Sequence, residues 1–202
     1  CSIEKVHASR YDNRNLSGYP IYIGSIRSNS AVSQIIKELN LSSANQPDGY
    51  LLYIGDSAVV SGFDENGTLY GLGRLLRHMD YEGSYLSAEK LNDVQIPASD
   101  VRGVYFATHF NNWYESAPMD EFNQYVEDMA LWGINTIWTW FDMNWYPEDF
   151  WKNPDSRGMR MIYRIRRIYE IGHRLGMKVG MTGIANEGFN HQPNGELKVD
   201  PA

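Results

Sequence analysis

From Val101 onward the chain repeats one pattern three times, and that repetition limits the fold more than any other feature of the sequence. Each unit is a short β-prone run and then a polar and aromatic exit, and the first two continue into an amphipathic stretch at helical spacing. "VRGVYFA" (101–107) precedes a helical pattern over 119–132, in which Phe122, Tyr125, Val126, Met129 and Ala130 recur on one face. Gly133 stands where a helix closes in a left-handed turn. "INTIWTWF" (134–141) leads through an aromatic loop into a second helical pattern over 159–175, with Ile162, Ile165, Ile168 and Ile171 inward and Gly176 at its end. "MKVGMTGIA" (177–185) reads as a third strand. Such β-α-β-α-β alternation requires a parallel sheet, either doubly wound or a (β/α)8 barrel.

The loops decide between those two. A dinucleotide fold needs G-x-G-x-x-G after its first strand, whereas the exit here is bulky and aromatic, "THFNNWYESAP". Barrels carry their chemistry on the loop after each strand, and all three such loops are rich in polar and aromatic groups. The barrel reading is the better one. A whole barrel needs about 250 residues, so residues 99–202 are expected to form its first three β/α units, an incomplete set of eight.

Residues 1–98 follow a different grammar and read as a small α+β domain. "YPIYIG" (19–24) is a strand and "SNSAVSQIIKELNL" (28–41) a helix introduced by a Ser/Asn cap. Two strands over 49–55 and 57–63 follow, then a turn at Asp64–Gly67. "TLYGLGRLLRHMD" is a second helix with Leu69, Leu72, Leu75 and Leu76 on one face. The expected order is β-α-β-β-α. Gly67, Gly71 and Gly73 fall on that helix, where they serve packing rather than phosphate binding. Polar "EKLNDVQIPASD" (89–100) reads as the linker between the domains.

Composition narrows the partners. The 202 residues carry a formal charge of -7 with no Lys/Arg run, which argues against nucleic acid. Aromatics reach 13%, including six Trp and fourteen Tyr, an excess that suits a recognition surface. The only cysteine is Cys1, which excludes disulfides and cysteine metal sites within the chain. Cys1 followed by Ser2 matches a bacterial lipoprotein after removal of its signal peptide, but equally the place where numbering happens to begin. No apolar run approaches the roughly 20 residues of a membrane helix.

The strand exits supply the candidate site. The first offers His109, Asn111, Asn112, Trp113 and Tyr114; the second Trp138, Trp140, Asp142, Asn144, Trp145, Tyr146 and Glu148; the third Asn186, Glu187, Asn190, His191 and Gln192. On a barrel these sets converge on one rim. Amides, carboxylates and indole faces together suit neutral polyols, because carboxylates accept from hydroxyls and rings cover the apolar face of a sugar. Each residue has a plainer alternative: His109 as a structural histidine, Trp138 or Trp140 as barrel or helix filling, Asp142 as a cap. Asn186-Glu187 suits a general acid held beside a sugar hydroxyl. No His pair stands at i, i+4, and no His-x-His or G-x-S-x-G occurs, so neither a metal site, a cofactor nor a serine nucleophile is expected.

"PDGYLLYIGDSAVVSGFDENGTLYGLGRLLRH", then "VRGVYFATHFNNWYESAP" and "MALWGINTIWTWFDMN", resemble bacterial glycoside hydrolases, in particular the β-hexosaminidase family (family 20) and the α-glucuronidase family (family 67). The resemblance implies a small α+β domain ahead of a catalytic (β/α)8 barrel. It also implies that Arg102, in the Arg-Gly opening the barrel, contacts sugar hydroxyls. The hexosaminidase Asp-Glu pair after the fourth strand has no counterpart in these residues, so that family's acid/base is not carried over. The expected function is that of the amino-terminal part of a glycoside hydrolase acting on oligo- or polysaccharides. Its substrate would meet Arg102, His109, Asn111, Trp113, Trp138, Asp142, Asn144 and Asn186, with Glu187 the local catalytic candidate. The alternative is a non-catalytic glycan-binding surface lipoprotein. A secreted, periplasmic or outer-surface location fits either reading, with lipid on Cys1, and Tyr50, Tyr53 and Tyr70 would serve a homo-oligomer.

Overall fold

The computed structural model describes residues 5–7, 18–107, 112–141 and 153–182, within a chain that gathers into two compact units. One comprises Cys1–Asp100 with Met129–Gly133, the other Val101–Asp128 with Ile134–Ala202. The class is mixed α/β, with three separate sheets among the described residues.

In the first unit the chain forms β1 (Ile21–Ser25), α1 (Ser30–Glu38), β2 (Tyr50–Ile54), β3 (Ala58–Gly62) and α2 (Glu65–His78). A hairpin of β4 (Met79–Glu82) and β5 (Tyr85–Ala88) follows, then β6 (Leu91–Gln95). The main sheet runs β1-β3-β2-β6, with β1 parallel to β3 and the other neighbours antiparallel. Alternation along the strands sends Leu51 and Val59 to one face, against Val32, Ile35 and Ile36 of α1. Leu52, Ile54 and Val60 go to the other, against Leu75 and Leu72 of α2.

Both helices begin where a side chain satisfies their first amides. Asn29 accepts from Ala31 N at 3.1 Å and Val32 N at 3.2 Å, so α1 starts inside the expected 28–41 span. Asp64 accepts from Gly67 N at 2.8 Å, which turns the expected turn at 64–67 into the first turn of α2. Gly71 lets α2 lie close on the sheet, since a methyl there would stand 2.9 Å from Val60 Cγ1. Leu76, expected inward, is exposed, and Tyr70 is buried in its stead.

Three strands extend the expected β-α-β-β-α order. The segment read as linker is part of the sheet: Leu91 pairs with Ile54 and Gln95 with Tyr50. Its polar composition is that of an edge strand, held through its backbone while Leu91 and Val94 reach opposite cores.

The second unit contains β7 (Gly103–Ala107), α3 (Trp113–Ser116), all but the last three residues of α4 (Met119–Leu131), β8 (Thr136–Trp140), α5 (Arg157–Arg174) and β9 (Lys178–Thr182). The three strands form a parallel sheet in the order β7-β8-β9. Both long helices lie where the 3.6-residue period puts them. α5 starts two residues before the expected 159, because Ser156 Oγ accepts from Met159 N at 3.2 Å. Its buried face is Met161, Ile165, Ile168 and Ile171.

One residue ties the amino ends of all three strands. Buried Asn135 accepts from Arg102 N at 2.9 Å and from Thr136 Oγ1 at 3.0 Å through its side chain. Its own N–H donates to Arg102 O at 2.9 Å, and its carbonyl accepts from Lys178 N at 2.8 Å. Three strands do not close a barrel; what the chain shows is parallel β/α alternation.

Candidate functional site

The two faces of the parallel sheet differ. Phe106 packs on Phe122 of α4 at 5.4 Å between ring centroids, and Ile137 and Val179 lie against Gly172 of α5. On this helix-covered face Thr139 meets Tyr169. Tyr169 spends its proton on Gly180 O at 2.7 Å, so Thr139 is the donor between them. Burial pushes the Tyr169 phenol above its ordinary pKa, with the Thr139 bond acting the other way.

Opposite lie Tyr105, Trp138 and Trp140, joined by Gly180 and Thr182. Register places Trp138 between Tyr105 and Gly180. Parallel sheets are ordinarily covered on both faces, yet Tyr105 is 53% and Trp138 43% exposed among the described residues. Each tryptophan leans to a different neighbour. The six-membered ring of Trp138 lies across Gly180, where any side chain would collide with it, and its Nε1 donates to Thr182 Oγ1. Trp140 leans toward β7, with its ring 6.4 Å from that of Tyr105. Thus both tryptophans share the face away from the helices, and neither fills the helix interface. Desolvation, then the neighbouring Tyr114, raise the pKa of the Tyr105 phenol, which keeps it a hydroxyl donor.

At the carboxyl end of β7 a second cluster fixes the exit. Tyr114 OH accepts from Ala107 N at 3.0 Å and from Asn112 Nδ2 at 2.9 Å. Tyr114 O accepts from Arg164 Nε at 2.6 Å, and Glu115 pairs with Arg157. Trp113 is half-exposed and stacks on Phe122 at 5.8 Å and against Tyr125 at 5.3 Å.

Of the residues picked from sequence, Trp138 sits on the open face and Trp113 beside the β7 exit. Arg102 stands at the other end of β7, its main chain bound to Asn135. His109, Asn111, Asp142, Asn144, Asn186 and Glu187 lie outside the described residues. Sequence reading missed Tyr105, whose alternation with Phe106 already marks it as facing away from the helices. It also missed Thr182, which only the register reveals. No group of His, Cys, Asp and Glu among the described residues could hold a metal ion. A concavity of about 570 Å³ in the first unit, lined by Arg27, Ser30, Gln34 and Lys37, is an open groove along α1 and assembles no such set of rings.

No protein-family model matches the sequence, and no curated protein does. Solved structures do. A family 20 exo-β-N-acetylglucosaminidase from Vibrio harveyi, in complex with N-acetylglucosamine, superposes with a TM-score of 0.58 at 11% identity, over 83% of this chain and 33% of that one. The β-N-acetylhexosaminidase of Bacteroides fragilis gives 0.52 at 12%, over 82% and 41%. A family 115 4-O-methyl-α-glucuronidase, with specificity for decorated arabinogalactans, gives 0.56 at 16%, over 80% and 23%. The fold is shared with glycoside hydrolases. Family 20, expected from the sequence, is among these, and families 84, 115 and 138 join it. The chain spans well under half the length of each of these proteins.

Proposed function

We propose that this chain is the amino-terminal part of a carbohydrate-active enzyme, a glycoside hydrolase whose barrel opens with β7, β8 and β9. The observation that carries the reading is the aromatic face of the parallel sheet, on which Tyr105 and Trp138 are about half-exposed among the described residues, in a fold shared with enzymes of that class. Further strands of a barrel would cover the lower part of this face and leave its carboxyl end as the floor of a rim pocket. Indole and phenol rings there match the apolar faces of pyranose rings, and Thr182 and Tyr105 bring hydroxyls.

In this reading His109, Asn111, Trp113, Asp142, Asn144 and Asn186 form the pocket walls, and Arg102 binds hydroxyls from below. Glu187 is the acid candidate within these residues. A secreted or outer-surface location, with lipid on Cys1, belongs to the same proposal, but pairing of copies through Tyr50, Tyr53 and Tyr70 does not, because Tyr70 is buried and Tyr50 and Tyr53 pack against the cores of the first unit.

The test is hydrolysis of a panel of 4-nitrophenyl glycosides by the native-length protein, including the N-acetyl-β-glucosaminide and the α-glucuronide. Isothermal titration against the corresponding oligosaccharides runs beside it. Turnover of one member supports the reading. Binding without turnover replaces it with the glycan-binding lipoprotein, and neither binding nor turnover removes both. Glu187→Gln should then lower kcat by orders of magnitude if Glu187 is the acid; a rate within about threefold of wild type takes it out of that role.

A further inference from the structure

A four-residue helix has no stability of its own, because it closes too few hydrogen bonds for the dihedral angles it fixes. α3 nevertheless stands directly after the β7 exit, and its N-cap residue Asn112 gives it no side-chain cap. Trp113 packs on Phe122 and Tyr125 of α4, and the polar contacts that hold α3 come from α5. Arg164 donates through Nε to Tyr114 O at 2.6 Å, and Arg157, seven residues earlier, pairs with Glu115, whose side chain is only 6% exposed. The Arg164 guanidinium also lies over the Phe122 ring, 5.8 Å from its centroid, so α4 confines it on another side. Tyr114 then carries the restraint forward: its hydroxyl receives Ala107 N and Asn112 Nδ2, the two groups that flank the exit at 108–111.

We propose that Arg164 is a positioning residue for the first strand exit: through Tyr114 it fixes Ala107 and Asn112, the described residues on either side of His109 and Asn111 in the sequence. The consequence for sugar chemistry rests on the glycoside hydrolase reading above; the restraint itself does not. Arginine suits the task because its Nε–H is fixed in the guanidinium plane and stays charged at any working pH. Burial lowers the pKa of Arg164 below the ordinary arginine value and Glu115 pulls it back, which agrees with a guanidinium held against the protein rather than in water.

The experiment uses the native-length protein with Arg164→Met, Arg164→Lys and Tyr114→Phe. Amide hydrogen exchange at Ala107 and across 112–116 is compared with exchange at Ile137 and Thr139 in β8. Hydrolysis is followed on whichever 4-nitrophenyl glycoside the wild type cleaves. Arg164→Met should speed exchange at Ala107 by tenfold or more, leave β8 unchanged, and lower kcat/KM at least tenfold. Arg164→Lys should recover part of both, since Nζ can still donate to Tyr114 O. Tyr114→Phe, which keeps the ring, should reproduce the faster exchange at Ala107. Unchanged exchange at Ala107 in both Arg164→Met and Tyr114→Phe overturns the restraint, and faster exchange throughout β8 reduces Arg164 to a general packing residue. Faster local exchange with wild-type hydrolysis refutes the positioning role. If the wild type cleaves no glycoside, the hydrolase reading is what fails, and exchange alone decides the restraint. Should Arg164→Met not fold, Tyr114→Phe and Arg164→Lys decide it.

Discussion

Gly180→Ala tests the arrangement of the open face most directly. A methyl at position 180 falls on the six-membered ring of Trp138, so the indole must lift away from β9 and release Thr182. Trp138 is 43% exposed, so a little over half of its surface is covered, roughly 130 Å² for a residue of this size. Losing about half of that contact costs on the order of 1.5 kcal/mol at about 25 cal/mol per Å². The hydrogen bond to Thr182 adds about 1 kcal/mol. Alanine is the better strand residue and returns roughly 0.5–1 kcal/mol. The net expectation is a destabilisation of about 1.5–2 kcal/mol, read by urea denaturation. Titration of glycan should show a weaker affinity, because the platform has moved. Thr182→Val keeps the ring in place and removes one hydroxyl, so it should cost about 1 kcal/mol and weaken glycan affinity less than Gly180→Ala does, by one lost hydroxyl contact rather than a displaced platform. Wild-type stability and wild-type affinity in Gly180→Ala would refute the reasoning, since the indole could not then be lying where the argument needs it.

Asn135→Ala leaves Arg102 N and the Thr136 hydroxyl without their acceptor in a buried setting, and should cost about 2–4 kcal/mol by urea denaturation. Arg157→Met strands the covered Glu115 carboxylate; because Arg157 is half-exposed, a loss of only about 1–2 kcal/mol is expected, again from denaturant midpoints. Tyr19, Tyr50, Tyr105 and Tyr169 all have pKa values raised by burial, so each phenol binds its proton more tightly folded than unfolded. Their stabilisation is complete below about pH 10, the ordinary tyrosine value, and is lost as pH climbs through the raised values. Stability measured from pH 8 to 11 should therefore fall only at the alkaline end, and Tyr169→Phe should flatten part of that fall.

The strands and helices that bury a face were legible because burial writes a period into the sequence. β7, β8 and β9 and both long helices stand where that period puts them. β6 was not legible: Asn92, Asp93 and Gln95 give it the composition of a loop, and its backbone pairing with β2 leaves no mark on side-chain choice. The β4–β5 hairpin did leave one, since Gly83 takes a positive φ of 60° between two short alternating runs, as tight hairpins require. Asn135 carries a role no local pattern could announce, because its partners lie 33 and 43 residues away. At the site, the tryptophans at 138 and 140 were visible as an i, i+2 pair, but which face they took depended on where the helices pack. That Trp138 reaches across to β9 needed Gly180 to be glycine, a fact that is meaningful only once register is known.

Asn135 and the aromatic face together divide the parallel sheet along its length. Its amino ends are cross-linked through one buried amide, while among the described residues the carboxyl ends are held by separate contacts, Phe141 N donating to Thr182 O at 3.2 Å and Ala107 N to Tyr114 OH at 3.0 Å. Substitutions in the loops beyond those ends leave the Asn135 tie itself in place. In the glycoside hydrolase reading proposed above, a lineage built on this plan can exchange the loop residues that choose a sugar one at a time while the amino-end tie persists. Tolerance to mutation should accordingly rise from the amino end of each strand to its exit, and substrate preference should be the property that drifts fastest.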